Sequence, residues 1–306
     1  MISFIIVAKN ESLRIADAIN SIISTSIKNY EIIIIDDQSS DDTFKIIKKY
    51  SYQNNKIRIF KNKFVGKVQG TNYGYSLATG DILKFFDADD ILLPEYFNII
   101  KKVKPGYSHC HAATVVSNTL KPIAKYSVNF SIINCSSKEI VSNLVSLPKW
   151  SWTLSREVAK KVFPIPALMP IEDIWISIRS KEFSKKIIVE NKSLYLYRQH
   201  KGQDYGGILN FNYDIVKLRA QRSKKIIKIL KNMPKYQQID FSYQSLFLKA
   251  ILNRISVRKI LISKFLIKDK FKLILILYLP NLSRVLTKLK WKIDSILTNS
   301  KYNKID

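Results

Sequence analysis

The chain has 306 residues, 46% of them hydrophobic, with 8 glycines and 9 prolines, a composition that supports a real core and excludes collagen-like and disordered classes. Its formal net charge is +27, and residues 208–306 hold 22 Lys and Arg against 5 Asp and Glu, so the excess is concentrated there. At this length a single core begins to split, and the expectation is a main domain over residues 1–207 followed by a basic helical region over residues 208–306.

The first apolar run, Ser3 to Ala8, has no basic flank before it and no small-residue cleavage site after it, so it reads as a strand rather than a leader. Leu13, Ala16, Ile19, Ile22 and Ile23 then fall at helical spacing, and Glu31 to Ile35 is the near-continuous isoleucine run of a strand buried on both faces. That strand ends at Asp36-Asp37. Asp41 and Asp42 place favourable acidic charge at the next helix start. Ile57 to Phe60 makes a third strand, Gln69 to Ala78 a helix stopped by Gly80, and Ile82 to Phe86 a fourth strand. Such alternation builds a mostly parallel sheet flanked by helices.

Directly after the fourth strand comes Asp87-Ala88-Asp89-Asp90. Ligands of open α/β sheets bind outside the carboxyl ends of the strands, where Asp36, Asp37, Asp87, Asp89 and Asp90 would gather. Like charges so close are costly unless a cation or hydrogen-bond donors offset them, and a divalent ion is the economical answer.

From about residue 107 the pattern changes to strands at Ser108 to Ser117 and near Lys121 to Asn134, then a short helix from Ser137, which predicts a mixed sheet. Trp150-Ser151-Trp152 leads into a helix from Arg156 to Val162, ended by Pro164 and Pro166. Glu172 and Asp173 begin another helix, where they serve either a site or merely the cap. The strand Ile187 to Tyr197 delivers Arg198-Gln199-His200 into a loop containing Gly202, Gly206 and Gly207, which suits a moving segment. Beyond it the chain reads as helical through Lys231, from Tyr243 to Lys268, and around Phe271 to Leu297.

The longest apolar run, Leu273 to Leu279, falls far short of the roughly 20 residues of a membrane span. Lys and Arg interleaved with apolar residues fit either a helix lying on an anionic membrane surface or a bundle with a solvated basic face. Abundant Lys, Ile and Asn also arise from AT-rich codons without selection on charge. Cys110 and Cys135 form no CxxC and no disulfide framework, which fits a reducing, cytoplasmic compartment. His109 and His111 share one side of a strand without a third ligand in view, and Trp150, Trp152 and Trp175 suit either an acceptor platform or the core.

In order, Ala8-Lys9-Asn10-Glu11, Ile35-Asp36-Asp37, Asn72-x-Gly74, Ala78-x-Gly80-Asp81, Asp87-Ala88-Asp89-Asp90, Glu172-Asp173 and Tyr197-Arg198-Gln199-His200 match a familiar set. Over residues 1 to about 207 the chain resembles a family 2 glycosyltransferase of the GT-A fold, of the bacterial surface-polysaccharide type. The resemblance implies a Rossmann-like α/β domain, with a mixed, mostly parallel sheet flanked by helices, here followed by a helical C-terminal extension. It also implies that Ala8, Asn10, Glu11 and Asp37 cradle a base, usually uracil, and that Asp87 with Ala88 lies near the ribose. Asp89, supported by Asp90 and joined by His200, would hold Mn²⁺ or Mg²⁺ against the diphosphate. Asp173 would be the general base toward the acceptor, with Glu172 in support.

The chain departs from the family pattern at Thr71, where Arg commonly precedes Asn72, and at Gln38, where Gly is usual. Lys67 is expected to supply the missing positive charge. The implied reaction is inverting transfer of a hexose or N-acetylhexosamine from a UDP-linked donor. The acceptor would be a saccharide or lipid-linked saccharide, and the place of action the cytoplasm or the inner face of the cytoplasmic membrane. Two rivals remain: a nucleotidyltransferase, weakened by the lack of a glycine-rich loop after strand one, and a non-enzymatic basic membrane- or nucleic-acid-binding protein. No nucleic-acid motif is recognisable, so no nucleic-acid partner is expected.

Overall fold

A computed structural model describes residues 1–128, 133–200, 202–203 and 212–286, together with positions 289 and 293. Nine strands form one sheet: β1 (Ile2–Ala8), β2 (Tyr30–Asp36), β3 (Ile57–Lys61), β4 (Ile82–Asp87), β5 (Ile91–Leu92), β6 (Tyr107–Ser117), β7 (Pro122–Tyr126), β8 (Trp152–Ser155) and β9 (Lys186–Gln199). The order is β3-β2-β1-β4-β8-β6-β9-β5, with β7 alongside β6. The first four strands are parallel, β8 runs antiparallel to both β4 and β6, and β9 returns parallel to β6. This is the mixed α/β architecture that the sequence predicts.

Helices α1 (Ile15–Ile23), α2 (Thr43–Gln53), α3 (Lys67–Leu77), α4 (Phe97–Ile100), α5 (Ser137–Asn143), α6 (Arg156–Val162) and α7 (Glu172–Phe183) cover the sheet. Side chains alternate across a strand, so Phe4 and Ile6 of β1 pack with Ile15, Ala18, Ile19 and Ile22 of α1 on one face. Ile5 and Val7 point the other way, into a cluster with Phe85, Val158 and Ile178. Both faces of β2 are covered, which is why it is nearly all isoleucine. In α3, a Cβ on Gly74 would stand 2.5 Å from Ile5 Cγ2, so glycine lets this helix seat directly on β1.

Beyond them come α8 (Tyr213–Lys231), α9 (Ser242–Leu252), α10 (Val257–Ile262) and α11 (Ile267–Tyr278). Ile226, Ile227 and Leu230 of α8 join the core under the sheet, whereas Val216 and Ala220 pack with Ala250, Ile251, Ile260, Leu273 and Leu277 in a separate cluster. Thus α8 fastens the helical region to the sheet. The single helix expected from Tyr243 to Lys268 is broken. Arg254 adopts φ 44°, and Ser256 starts α10 afresh by accepting a hydrogen bond from the Lys259 N–H at 3.4 Å. The expected helix from Phe271 is interrupted at Leu279, because the ring of Pro280 disfavours helical backbone at the residue before it, and helical backbone resumes over residues 280–286. Positions 287–288, 290–292 and 294–297 of its predicted length lie outside the described residues.

Two strand expectations also change. The strand near Lys121 to Asn134 ends at Tyr126, and the four-residue β8 was not foreseen. Trp150, Trp152 and Trp175 are all buried and belong to the core: Trp150 stacks on Tyr195 at 4.9 Å, and Trp175 Nε1 donates to the Val162 carbonyl at 2.8 Å. Among the described residues, no helix is long and apolar enough to cross a membrane.

Candidate functional site

Parallel register sets the site, because Ala8 pairs with Asp36 and Val7 with Asp87, so the carboxyl ends of β1, β2 and β4 end at one edge. Asn10 turns the chain there at φ 55°, a left-handed conformation that Asn tolerates better than most residues. Its Oδ1 accepts from the Ser40 N–H at 2.8 Å, and its own N–H donates to Ser39 Oγ at 3.0 Å. Gln38 also lies at φ 60°, which explains why glycine is usual there. Asp37 is buried, and its Oδ1 accepts from Asn62 Nδ2 at 2.6 Å and the Gly66 N–H at 3.1 Å, so it suspends the loop leading into α3. Ala8 and Ala88 are buried and offer this edge little beyond main chain.

Glu11, Asp89 and His200 converge, with one ligand atom from each lying within 4.8 Å of the others. His200 Nε2 is 2.9 Å from Asp89 Oδ2, while the Gly202 N–H donates to Nδ1 at 3.2 Å. Burial raises the Glu11 carboxyl above its ordinary value, and the Asp89 charge raises it further, against the opposing Arg14. Two carboxylate oxygens and an imidazole nitrogen brought this close are a donor set that could hold a divalent cation. Asp90, expected at the metal, does not join them. The turn after β4 sends it into the core, where Oδ1 accepts from the Arg198 N–H at 2.7 Å. Burial, then the Asp89 and Asp87 charges, push its carboxyl well above the usual range.

A second constellation joins distant parts of the chain. Asp87 Oδ1 lies 3.1 Å from Lys67 Nζ and 3.4 Å from Lys149 Nζ, and Lys149 Nζ also lies 3.0 Å from Glu172 Oε2. Burial pushes the Asp87 carboxyl up, but the two ammoniums outweigh it and hold it well below the usual carboxylate range. The Thr71 hydroxyl donates to the other Glu172 oxygen, Oε1. The Lys149 N–H donates to Asp173 Oδ1 at 2.9 Å. Partial burial raises Asp173 to about 6; the Lys149 N–H opposes that rise, and Glu172 and Asp87 add to it. Both acids lie in the first turn of α7, and neither makes a side-chain capping bond to it. Asn72 is committed elsewhere: it donates to the Ile165 carbonyl and accepts from the Ile165 N–H, each at 2.8 Å, and so braces α3.

Two lysines escaped the sequence reading. Lys149 carries no motif, and its partners are far away in sequence. Lys84 was legible as a lone cation inside the apolar β4. It is buried with Nζ 2.6 Å from His111 Nε2 and donates to the Trp150 carbonyl, and burial pushes it well below its ordinary value. His109 and His111 are buried beside it at 6.4 Å ring separation, packing groups rather than ligands. Most of the glycine-containing loop after His200 lies outside the described residues.

Residues 3–118 match the family Glycosyl transferase family 2. The chain is 28% identical over 216 residues to the uncharacterized glycosyltransferase alr2836 of Nostoc sp., covering 67% of this chain and 66% of that protein. It is 32% identical over 111 residues to the GalNAc(5)-diNAcBac-PP-undecaprenol beta-1,3-glucosyltransferase of Campylobacter jejuni, covering 35% of this chain and 36% of that protein. It therefore spans less than two thirds of the length of these relatives. The crystal structure of S. aureus TarS 1–349 in complex with UDP-GlcNAc aligns with TM-score 0.54 at 18% identity, covering 89% of this chain and 78% of that one. That likeness is one of fold, and it includes the GT-A arrangement expected from the sequence.

Proposed function

This chain belongs to glycosyl transferase family 2, and from that premise we propose that it moves a sugar from a nucleoside-diphosphate donor to a hydroxyl of a saccharide acceptor, with inversion. The observation that carries the reading is Asp173: a partly exposed carboxyl raised to about 6, one oxygen held by the Lys149 N–H, beside the network that reaches Asp87. A base of that strength is largely ionised at neutral pH yet still takes a proton. The acceptor hydroxyl gives its proton to Asp173 as its oxygen bonds to the anomeric carbon. The bond from that carbon to phosphate breaks, and the nucleoside diphosphate leaves. A single displacement inverts the centre.

On the donor side, Ala8, Asn10 and Asp37 border the edge expected to take the base, and Asp87, paired with Lys67, is linked through Lys149 to the Glu172 that precedes the acceptor base. A UDP-linked donor is supported by the structural likeness to TarS, which binds UDP-GlcNAc. Glu11, Asp89 and His200 would hold Mn²⁺ or Mg²⁺, which when bound supplies positive charge toward the departing diphosphate. Asp90 supports this group only through the core.

The acceptor reading is a lipid-linked saccharide in surface-polysaccharide assembly, met at the inner face of the cytoplasmic membrane. The undecaprenol-linked acceptor named for the Campylobacter relative supports it. So do exposed Ile262, Leu266, Ile267 and Phe271 among the lysines of α10 and α11. Family membership sets aside the nucleotidyltransferase and non-enzymatic readings. Release of UDP from a panel of UDP-glucose, UDP-galactose and UDP-GlcNAc with Mn²⁺ tests the proposal. One donor is expected to be consumed, and full activity in both Asp89→Ala and Asp173→Ala would contradict it.

A further inference from the structure

Lys149 lies in a short turn of 3₁₀ helix immediately before β8, and its side chain is only 3% exposed. A lysine is rarely taken so far from water unless partners compensate it, and both its compensating carboxylates belong to the site. Its ammonium stands 3.4 Å from Asp87 at the end of β4 and 3.0 Å from Glu172 at the start of α7. Its main-chain N–H meanwhile holds Asp173 Oδ1 at 2.9 Å. No other residue named in the site touches Asp87, Glu172 and Asp173 together.

We propose that Lys149 is the positioning residue of the acceptor base: its N–H fixes Asp173 Oδ1, leaving Oδ2 for the acceptor hydroxyl, and its ammonium balances the neighbouring carboxylates. This rests on the reading of Asp173 as the base. Glu172 on the same helix, Asp87 on β4, Lys67 on α3 and Tyr126 on β7 also face Asp173, so three acids compete for charge near two ammoniums. Removing the Lys149 charge leaves Glu172 and Asp87 under-compensated, and each then disfavours ionisation of Asp173 more strongly. Removing Glu172 acts in the opposite direction. A residue that only fills space would move neither.

The test follows the ¹³C carboxyl resonance of Asp173 against pH in the full chain without substrate, identified as the aspartate signal missing from Asp173→Asn. The wild-type midpoint is expected at about 6. Lys149→Met raises it by about one pH unit and Glu172→Gln lowers it, as a unit charge a few ångströms away at intermediate dielectric requires. Lys149→Arg leaves it in place. A midpoint unmoved in Lys149→Met, or moved equally in Lys149→Arg, overturns the role. If Lys149→Met does not fold, Lys149→Met/Glu172→Gln is compared with Glu172→Gln: the double variant must titrate higher, and equal midpoints overturn the proposal. Sugar transfer surviving Asp173→Asn sinks the base assignment whatever these titrations show. A dead Asp173→Asn with an unmoved Lys149→Met midpoint sinks only the role of Lys149.

Discussion

The sheet edge and the C-terminal helices treat charge and apolar surface in opposite ways. At the edge, Asp87, Lys149, Glu172 and Asp90 are largely withdrawn from water, and each is answered by a named partner. On α10 and α11, by contrast, Ile262 and Ile267 are 77% and 86% exposed, and the surrounding lysines face outward. Buried charge demands partners, so the first region tolerates few substitutions. Exposed apolar groups demand none within the chain, so the second is free to meet a surface.

This difference predicts a graded series. Asp173→Asn should lower sugar transfer by ~10²- to 10⁴-fold, the usual worth of a general base, read from UDP release. The same variant should unfold at higher temperature than wild type above pH 6. A carboxyl raised from its ordinary 3.8 to about 6 when folded opposes folding increasingly as pH rises through that interval, and fully above about 6. Well below the ordinary carboxyl value of 3.8, where both states are protonated, the two melting curves should nearly coincide. Asp89→Ala and His200→Ala should raise the Mn²⁺ needed for half-maximal activity by more than about tenfold, with little change in urea stability. Unchanged metal dependence in both would remove that donor set from consideration.

Lys84→Met should cost about 1–3 kcal/mol in urea unfolding, because His111 Nε2 and the Trp150 carbonyl lose their buried donor. Ile262→Asp with Ile267→Asp should change stability least, within about 0.5 kcal/mol for exposed positions. Even so, the pair should abolish flotation with vesicles of phosphatidylglycerol. Retained flotation would break the contrast between the two regions.

Much of this was legible because burial on both faces writes itself into sequence. The isoleucine run of β2 and the abrupt change from Phe86 to Asp87 reveal a strand and the edge where it ends. The convergence of Asp89 with His200 was expected. The part of Glu11 was not, because the left-handed turn at Asn10 decides where its side chain goes. Asp90 misled for a related reason: next to Asp89 in sequence, it points into the core. β8 was hidden by its four residues, and Lys149 by partners on β4 and α7 that only the folded chain brings near. The break between α9 and α10 lay in Asn253, Arg254 and the Ser256 cap, signals weaker than the hydrophobic periodicity around them.

The central claim is that Asp173 takes the acceptor proton, and the most direct measurement is the pH dependence of sugar transfer in wild type and Asp173→Asn. Because the base works only when ionised, wild-type turnover should climb as pH rises through about 6 and then level off. Asp173→Asn should lose that limb and fall at least about a hundredfold on the plateau. An Asp173→Asn enzyme that keeps both the limb and the plateau rate would contradict the account.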